Sequence, residues 1–193
     1  VAYFFNARGE TLEKTPLGML LSIVYQLLKN ESGDVLYRRI LPSYREKHTF
    51  HRNEPWQWRQ SELQEFIRLA VQQFRSQPLL ILADALDECV ESDVRDVVAF
   101  LETLSNMDSR GAKPLKICLA SRHYPSIQMR RFQQLTVEKC SDHDDDIAKY
   151  LVGHLRINDP IIQSEIQRRA EGVFFWVVII VSLLNKAFDE GRV

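Results

Sequence analysis

The stretch LLILADALDEC, from Leu79 to Cys89, decides how this chain folds. Its first five residues, Leu79 to Ala83, are an unbroken apolar run of strand length. Such runs belong to strands covered on both faces, as in parallel sheets. Three acids follow at once: Asp84, Asp87 and Glu88. A second run, Leu115 to Ala120 (LKICLA), repeats the pattern and ends in Ser121-Arg122. It reads as another buried strand, with Cys118 as a small core residue. Ligands of open α/β sheets bind at the carboxyl ends of the strands. Two adjacent parallel strands therefore place these polar groups on one edge. A carboxylate there suits Mg2+, which takes hard oxygen ligands and keeps several waters beside a phosphate. A second carboxylate can orient an attacking water, and an arginine can meet the γ-phosphate charge. The plainer reading makes the acids ordinary helix caps and Arg122 half of a surface ion pair. Three acids so close together favour the chemical reading.

Outward from this stretch, strands and helices alternate. Ala2 to Phe5 reads as a strand that enters a turn at Asn6 to Gly9. Thr15 caps a helix with Pro16 in its first position. Leu17, Leu20, Leu21, Val24, Leu27 and Leu28 form one apolar face of it, and Asn30 and Gly33 end it. Residues 36–59 read as a helix and a loop, with Trp56 and Trp58 as core anchors. Ser61 to Gln64 has the capping-box pattern. It opens a helix with Leu63, Phe66, Ile67, Ala70, Val71 and Phe74 on one side. Val94, Val97, Val98, Leu101 and Leu104 mark the helix after the acids. Pro114 precedes the second apolar run, and Leu135 to Val137 reads as a further short strand. Beyond it only helices follow. Ser141 and the acids Asp142, Asp144, Asp145 and Asp146 cap one carrying Ile147, Tyr150, Leu151 and Leu155. Asp159-Pro160 opens the next. Val173 to about Ala187 reads as a helix buried in a core, far short of the ~20 residues that cross a bilayer. The expected fold is α/β: a parallel, helix-covered sheet over residues 1–140, then a small all-helical subdomain over 141–193.

Composition excludes several classes. Hydrophobic residues are 45% and charged residues 26% of the 193, as in an ordinary globular protein rather than a disordered or coiled-coil chain. A net charge of −1 lacks the basic excess of a nucleic-acid binder. Three cysteines, Cys89, Cys118 and Cys140, make no CxxC pair, which points to a reducing compartment rather than a disulfide framework. His48 and His51 lack a third ligand for a metal. The acids from Asp142 to Asp146 lack the spacing and glycine of a calcium loop. Cys89 has no neighbouring histidine to make it a nucleophile.

LLILADALDEC resembles the Walker B segment of NACHT-family NTPases, the STAND class of P-loop NTPases, in particular those of fungal NOD-like proteins. AYFFNARG resembles the strand after the P-loop helix, and TPLGMLLSIVYQLL the helix that follows. KICLASRHYP resembles the sensor-1 strand, with His123 where the family often has proline. GVFFWVVIIVSLL resembles a helix of the helical subdomain. The resemblance implies a three-layer P-loop NTPase sheet and a signalling switch that binds ATP or GTP with Mg2+. At matching positions Asp84 would hold Mg2+, and Asp87 and Glu88 would polarise water, with Glu88 as the base. Ser121 and Arg122 would meet the nucleotide, Arg122 reading the γ-phosphate. The implied partners are nucleotide, other domains of the same chain and further copies in a homo-oligomer, in the cytoplasm, with neither nucleic acid nor membrane involved.

No GxxxxGK[ST] loop is present. Gly9 to Thr15 lacks the glycine before Lys14 and is one residue short. The phosphate-gripping loop is expected upstream of Val1, leaving a gap in the sheet, unpaired strand edges and exposed apolar faces. A non-catalytic structural or oligomerisation module of the same fold is the alternative. A metal-dependent nuclease using the same carboxylates is a third reading, weakened by the missing basic surface.

Overall fold

Ala2–Phe4, Leu80–Asp84 and Lys116–Leu119 form strands β1, β2 and β3 of one parallel sheet, in the order β1-β2-β3. The computed structural model describes residues 1–29, 33–52, 54–73, 78–107, 115–122, 129, 132–137 and 141–192. Asn30, Phe74, Pro114, His123 and Cys140 lie outside these. Cα packing divides the chain into two units, Val1–Arg130 and Arg131–Val193.

In the first unit, register aligns Ala2 with Leu82, Phe4 with Asp84, and Leu82 with Cys118. Side chains alternate across a sheet, so each aligned set shares a face. One face carries Tyr3, Phe5, Ile81, Ala83, Ile117 and Leu119 into the core. Helix α1 (Pro16–Leu28) packs against β1, and α4 (Glu91–Met107) against β3. Thr15 caps α1 as its sequence predicts, accepting from Gly18 N–H. Val94, Val97, Val98, Leu101 and Leu104 all bury from α4.

The opposite face is open. Phe4 is 60% and Leu80 52% exposed there, and Cys118 is exposed too. The strands are thus not covered on both sides as their apolar runs imply, but carry the exposed apolar face expected of the sheet without its phosphate-gripping unit: apolar composition announces one packed layer and cannot announce the second. The three strands leave no internal gap. Their edges differ, however. On the outer edge of β1, Gln26 of α1 accepts from Ala2 N–H at 2.9 Å and donates to Ala2 C=O at 2.7 Å. Gln26 thus occupies the edge as a neighbouring strand would. Among the described residues no strand pairs with the outer edge of β3.

Helix α2 (Gly33–His51) contains Pro42, and α3 (Gln60–Gln73) follows it. The capping box sits two residues earlier than its sequence pattern. Arg59 precedes the helix, and Glu62 reaches back to accept its N–H at 2.8 Å. Ser61 lies inside the first turn. Trp58 packs on the core, edge-on to Phe66, and Trp56 meets Trp58 edge-on.

The second unit is a helical cluster of α5 (Ser141–His154), α6 (Pro160–Ala170) and α7 (Phe174–Asp189). Asp159 caps α6 by accepting from Ile161 N–H. Ile147, Leu151, Leu155, Ile166, Ala170, Val177 and Val181 form its core. Leu135 and Val137 are exposed and belong to no strand. Helix α7 is not the fully buried helix its composition predicts. It buries Val177 and Val181, whereas Phe175 and Leu183 are 72% and 57% exposed. A helix apolar on all sides needs cover all round, and its two neighbours in this unit supply one side. No described helix is long and apolar enough to cross a membrane.

Candidate functional site

Strand β2 ends at Asp84, and the chain then turns sharply. Ala85 adopts a left-handed conformation, φ 52° and ψ 45°, which costs a residue with a Cβ about 1–2 kcal/mol. Asp84 supports this turn by accepting from Ala85 N–H through Oδ1 at 2.8 Å. Leu86 is fully buried beneath it and donates its N–H to Ala120 C=O at 3.0 Å. Leu86–Glu88 form one 3-10 turn before α4. Strain at Ala85 is thus held by a buried side chain below and the end of β3 beside it.

This turn brings three of the five sequence-predicted residues, Asp87, Glu88 and Arg122, into contact. Asp87 Oδ1 accepts from Arg122 N–H at 3.0 Å, and its Oδ2 lies 3.3 Å from Arg122 Nε. Glu88 Oε1 lies 3.8 Å from Arg122 Nη2. Glu88 Oε2 accepts from Ala7 N–H at 3.0 Å. Asp84 stands on the open sheet face at the end of β2, partly buried. Ser121, the fifth, is exposed next to Arg122 and joins none of these contacts.

Ala7 is the residue that sequence reasoning missed. It lies in the turn after β1, and Asn6 shapes that turn. Asn6 accepts from Arg8 N–H through Oδ1 and from Gly9 N–H through its carbonyl, and donates from Nδ2 to Glu13. A side chain on Gly9 would meet Glu13 Oε2 at 1.7 Å. The turn was legible as Asn-to-Gly; the reach of a backbone N–H to an acid 81 residues away was not.

The charges at the site are organised around Arg122. Its side chain is 80% exposed, whereas that of Asp87 is 10% exposed. The carboxylate is therefore the enclosed partner, and the guanidinium stands mostly in solvent. Cys89, one residue on, is buried, and burial together with Asp93 pushes its thiol up to about 11. It is protonated at neutral pH and is no nucleophile. Tyr3 beneath is pushed up to about 12 by burial, Glu13 and Cys89, and donates to Leu12 C=O.

Among the described residues no three His, Cys, Asp or Glu side chains form a ready-made metal cage. A single carboxylate with a spare oxygen suits a cation that draws its other ligands from phosphate and water. Asp84 fits that description: Oδ1 is taken by Ala85, and Oδ2 takes no bond among the described residues.

Fold and site define a mixed α/β protein, mostly helical, whose short parallel sheet joins an acidic turn to an arginine at its carboxyl edge. Residues 1–122 match the family model described as Nephrocystin 3, N-terminal, and the chain belongs to that family. The match spans all three strands and closes on Arg122. No curated protein and no solved structure matches the chain.

Proposed function

We propose that the chain is the central part of a NACHT-type P-loop NTPase module that acts, in the intact protein, as a nucleotide-driven signalling switch. The observation that carries this reading is the meeting of two adjacent parallel strand ends, with Asp87 and Glu88 on one and Arg122 on the other. In this reading Asp84 holds Mg2+ through its spare oxygen. Bound Mg2+ would neutralise phosphate charge, as it does in phosphoryl transfer generally. Glu88 accepts a proton from water at Oε1, its other oxygen being fixed by Ala7. Arg122, long and exposed, leaves Asp87 for the γ-phosphate, and Ser121 beside it offers a hydroxyl to the nucleotide.

The exposed sheet face, and an edge of β3 that no described strand pairs, support a further part of the reading. Parallel sheets are covered on both faces. A strand–loop–helix unit bearing the phosphate-gripping glycines, supplied by a segment outside these residues, would pair with β3 and cover Phe4, Leu80 and Cys118. Gln26 already occupies the other edge at Ala2, which favours β3 as the edge where the sheet would grow. Such a module would work in the cytoplasm, with nucleotide, other domains and further copies as partners. The test is an ATP and GTP titration with Mg2+. The 193-residue chain alone binds weakly or not at all, and the intact protein binds; micromolar binding by the chain alone defeats the reading.

One observation favours a second reading, a non-catalytic structural module of the same fold. Asp87 and Glu88 already bond across the three strand ends, as staples would. If the intact protein contains no glycine-rich lysine loop and binds no nucleotide, that reading stands.

A further inference from the structure

We propose that the solvent face of α2 is a docking surface for an acidic helix of a partner protein. The inference is independent of the nucleotide reading. Arg38 and Arg45 lie seven residues apart on α2; Arg52 follows at the same interval in sequence, but its left-handed backbone (φ 43°) past the end of the helix takes it off their line. Seven residues fall about 20° short of two full turns. Arg38 and Arg45 therefore stand on one line, about 10.5 Å apart along the axis. Leu36 and Ile40 bury on the opposite side. All three arginines are exposed, and none makes an ion pair among the described residues. Lys47, by contrast, points inward to Glu62 at 3.0 Å. The helix's own acids, Asp34 and Glu46, pair with none of these arginines.

Unpaired guanidinium groups at this interval match carboxylates seven apart on a facing helix, which they grip through two parallel hydrogen bonds. Tyr37 and Tyr44, 53% and 45% exposed, stand about a quarter turn round the helix to one side of the row and supply amphipathic contact area at its margin. The chain's net charge of −1 offers no general field for a nucleic acid. A membrane surface is a poorer fit, because Leu36 and Ile40 of α2 are already in the core and its exposed apolar residues, Val35 and Phe50, stand at opposite ends of the helix rather than on one stripe.

The test uses the 193-residue chain and two labelled helical peptides of equal composition. One has two glutamates spaced seven apart; the other has them side by side. By fluorescence anisotropy the spaced peptide binds about tenfold tighter, and added salt weakens it. Arg38→Gln with Arg45→Gln loses about tenfold, whereas Arg39→Gln, off the row, changes binding less than about twofold. Circular dichroism checks that each variant is folded. Equal affinity for the two peptides overturns the proposal. So does an Arg39→Gln loss matching the row variant, or tighter binding of a single-stranded oligonucleotide or of phosphatidylserine vesicles than of the spaced peptide.

Discussion

Asp87 holds Arg122 twice, by the backbone N–H at 3.0 Å and by Nε at 3.3 Å. The first bond fixes where the chain leaves β3. The second parks an exposed guanidinium over the acidic turn. The two can be separated. Asp87→Asn keeps an oxygen for the N–H and loses the ion pair, which is exposed on its arginine side. It should cost less than about 1 kcal/mol in urea unfolding. Asp87→Ala removes the acceptor of an exposed N–H, which water can replace only in part, and should cost about 0.5–1.5 kcal/mol more than Asp87→Asn. Equal effects would show that the backbone bond contributes nothing.

Two glycines should respond in opposite directions. A Cβ on Gly18 would lie 1.8 Å from the Leu12 carbonyl oxygen, a backbone atom, where α1 passes over Thr11–Lys14. Gly18→Ala should therefore destabilise the first unit by about 1–3 kcal/mol in spite of alanine's helix preference. Gly153, near the end of α5, has nothing within 4 Å of such an atom. Gly153→Ala should stabilise the second unit by up to about 1 kcal/mol. Thermal unfolding of the two variants reads both.

Glu62 links stability to acid. Burial pushes its carboxyl up, but the Arg59 N–H and the Lys47 ammonium together outweigh this and hold it below its ordinary value of 4.5. A carboxyl lowered in the folded state adds stability above its unfolded pKa. That stability is lost as pH falls through the folded value. Urea midpoints of the wild type should thus fall more steeply below pH 4.5 than those of Glu62→Gln. Parallel curves would remove Glu62 from the acid response.

The cysteines should separate by reactivity. Cys118 is exposed on the open sheet face, whereas Cys89 is buried with its thiol pushed up to about 11. Under iodoacetamide at about pH 8, peptide mapping should find Cys118 labelled early and Cys89 only after unfolding. Protection of Cys118 in the intact protein, with labelling in the 193-residue chain, would show that the open face is covered there.

These residues also show what a sequence can and cannot convey. Ile81 and Ala83 bury as their strand pattern requires, because alternation and apolar content report the core side directly. Leu80 and Cys118 do not, because an apolar residue records that a face is to be covered, not by what. The meeting of Asp87 with Arg122 was legible, since polar ends of adjacent parallel strands must share an edge. The bond from Ala7 to Glu88 was not, since a backbone N–H leaves no mark in residue type. The two-residue shift of the cap at Glu62 has the same origin: the N–H that Glu62 satisfies belongs to Arg59, a residue with no capping side chain. Hydrophobicity alone makes helix α7 a buried one, and the exposed Phe175 shows that hydrophobicity does not count neighbours.

The most direct test of the central claim is Mg2+-dependent ATP and GTP hydrolysis by the intact protein, compared with Asp84→Ala and Glu88→Gln. If Asp84 holds the metal and Glu88 takes the proton, turnover falls roughly 100-fold or more in each variant while the fold persists by circular dichroism. Unchanged turnover in both would contradict the assignment of the site.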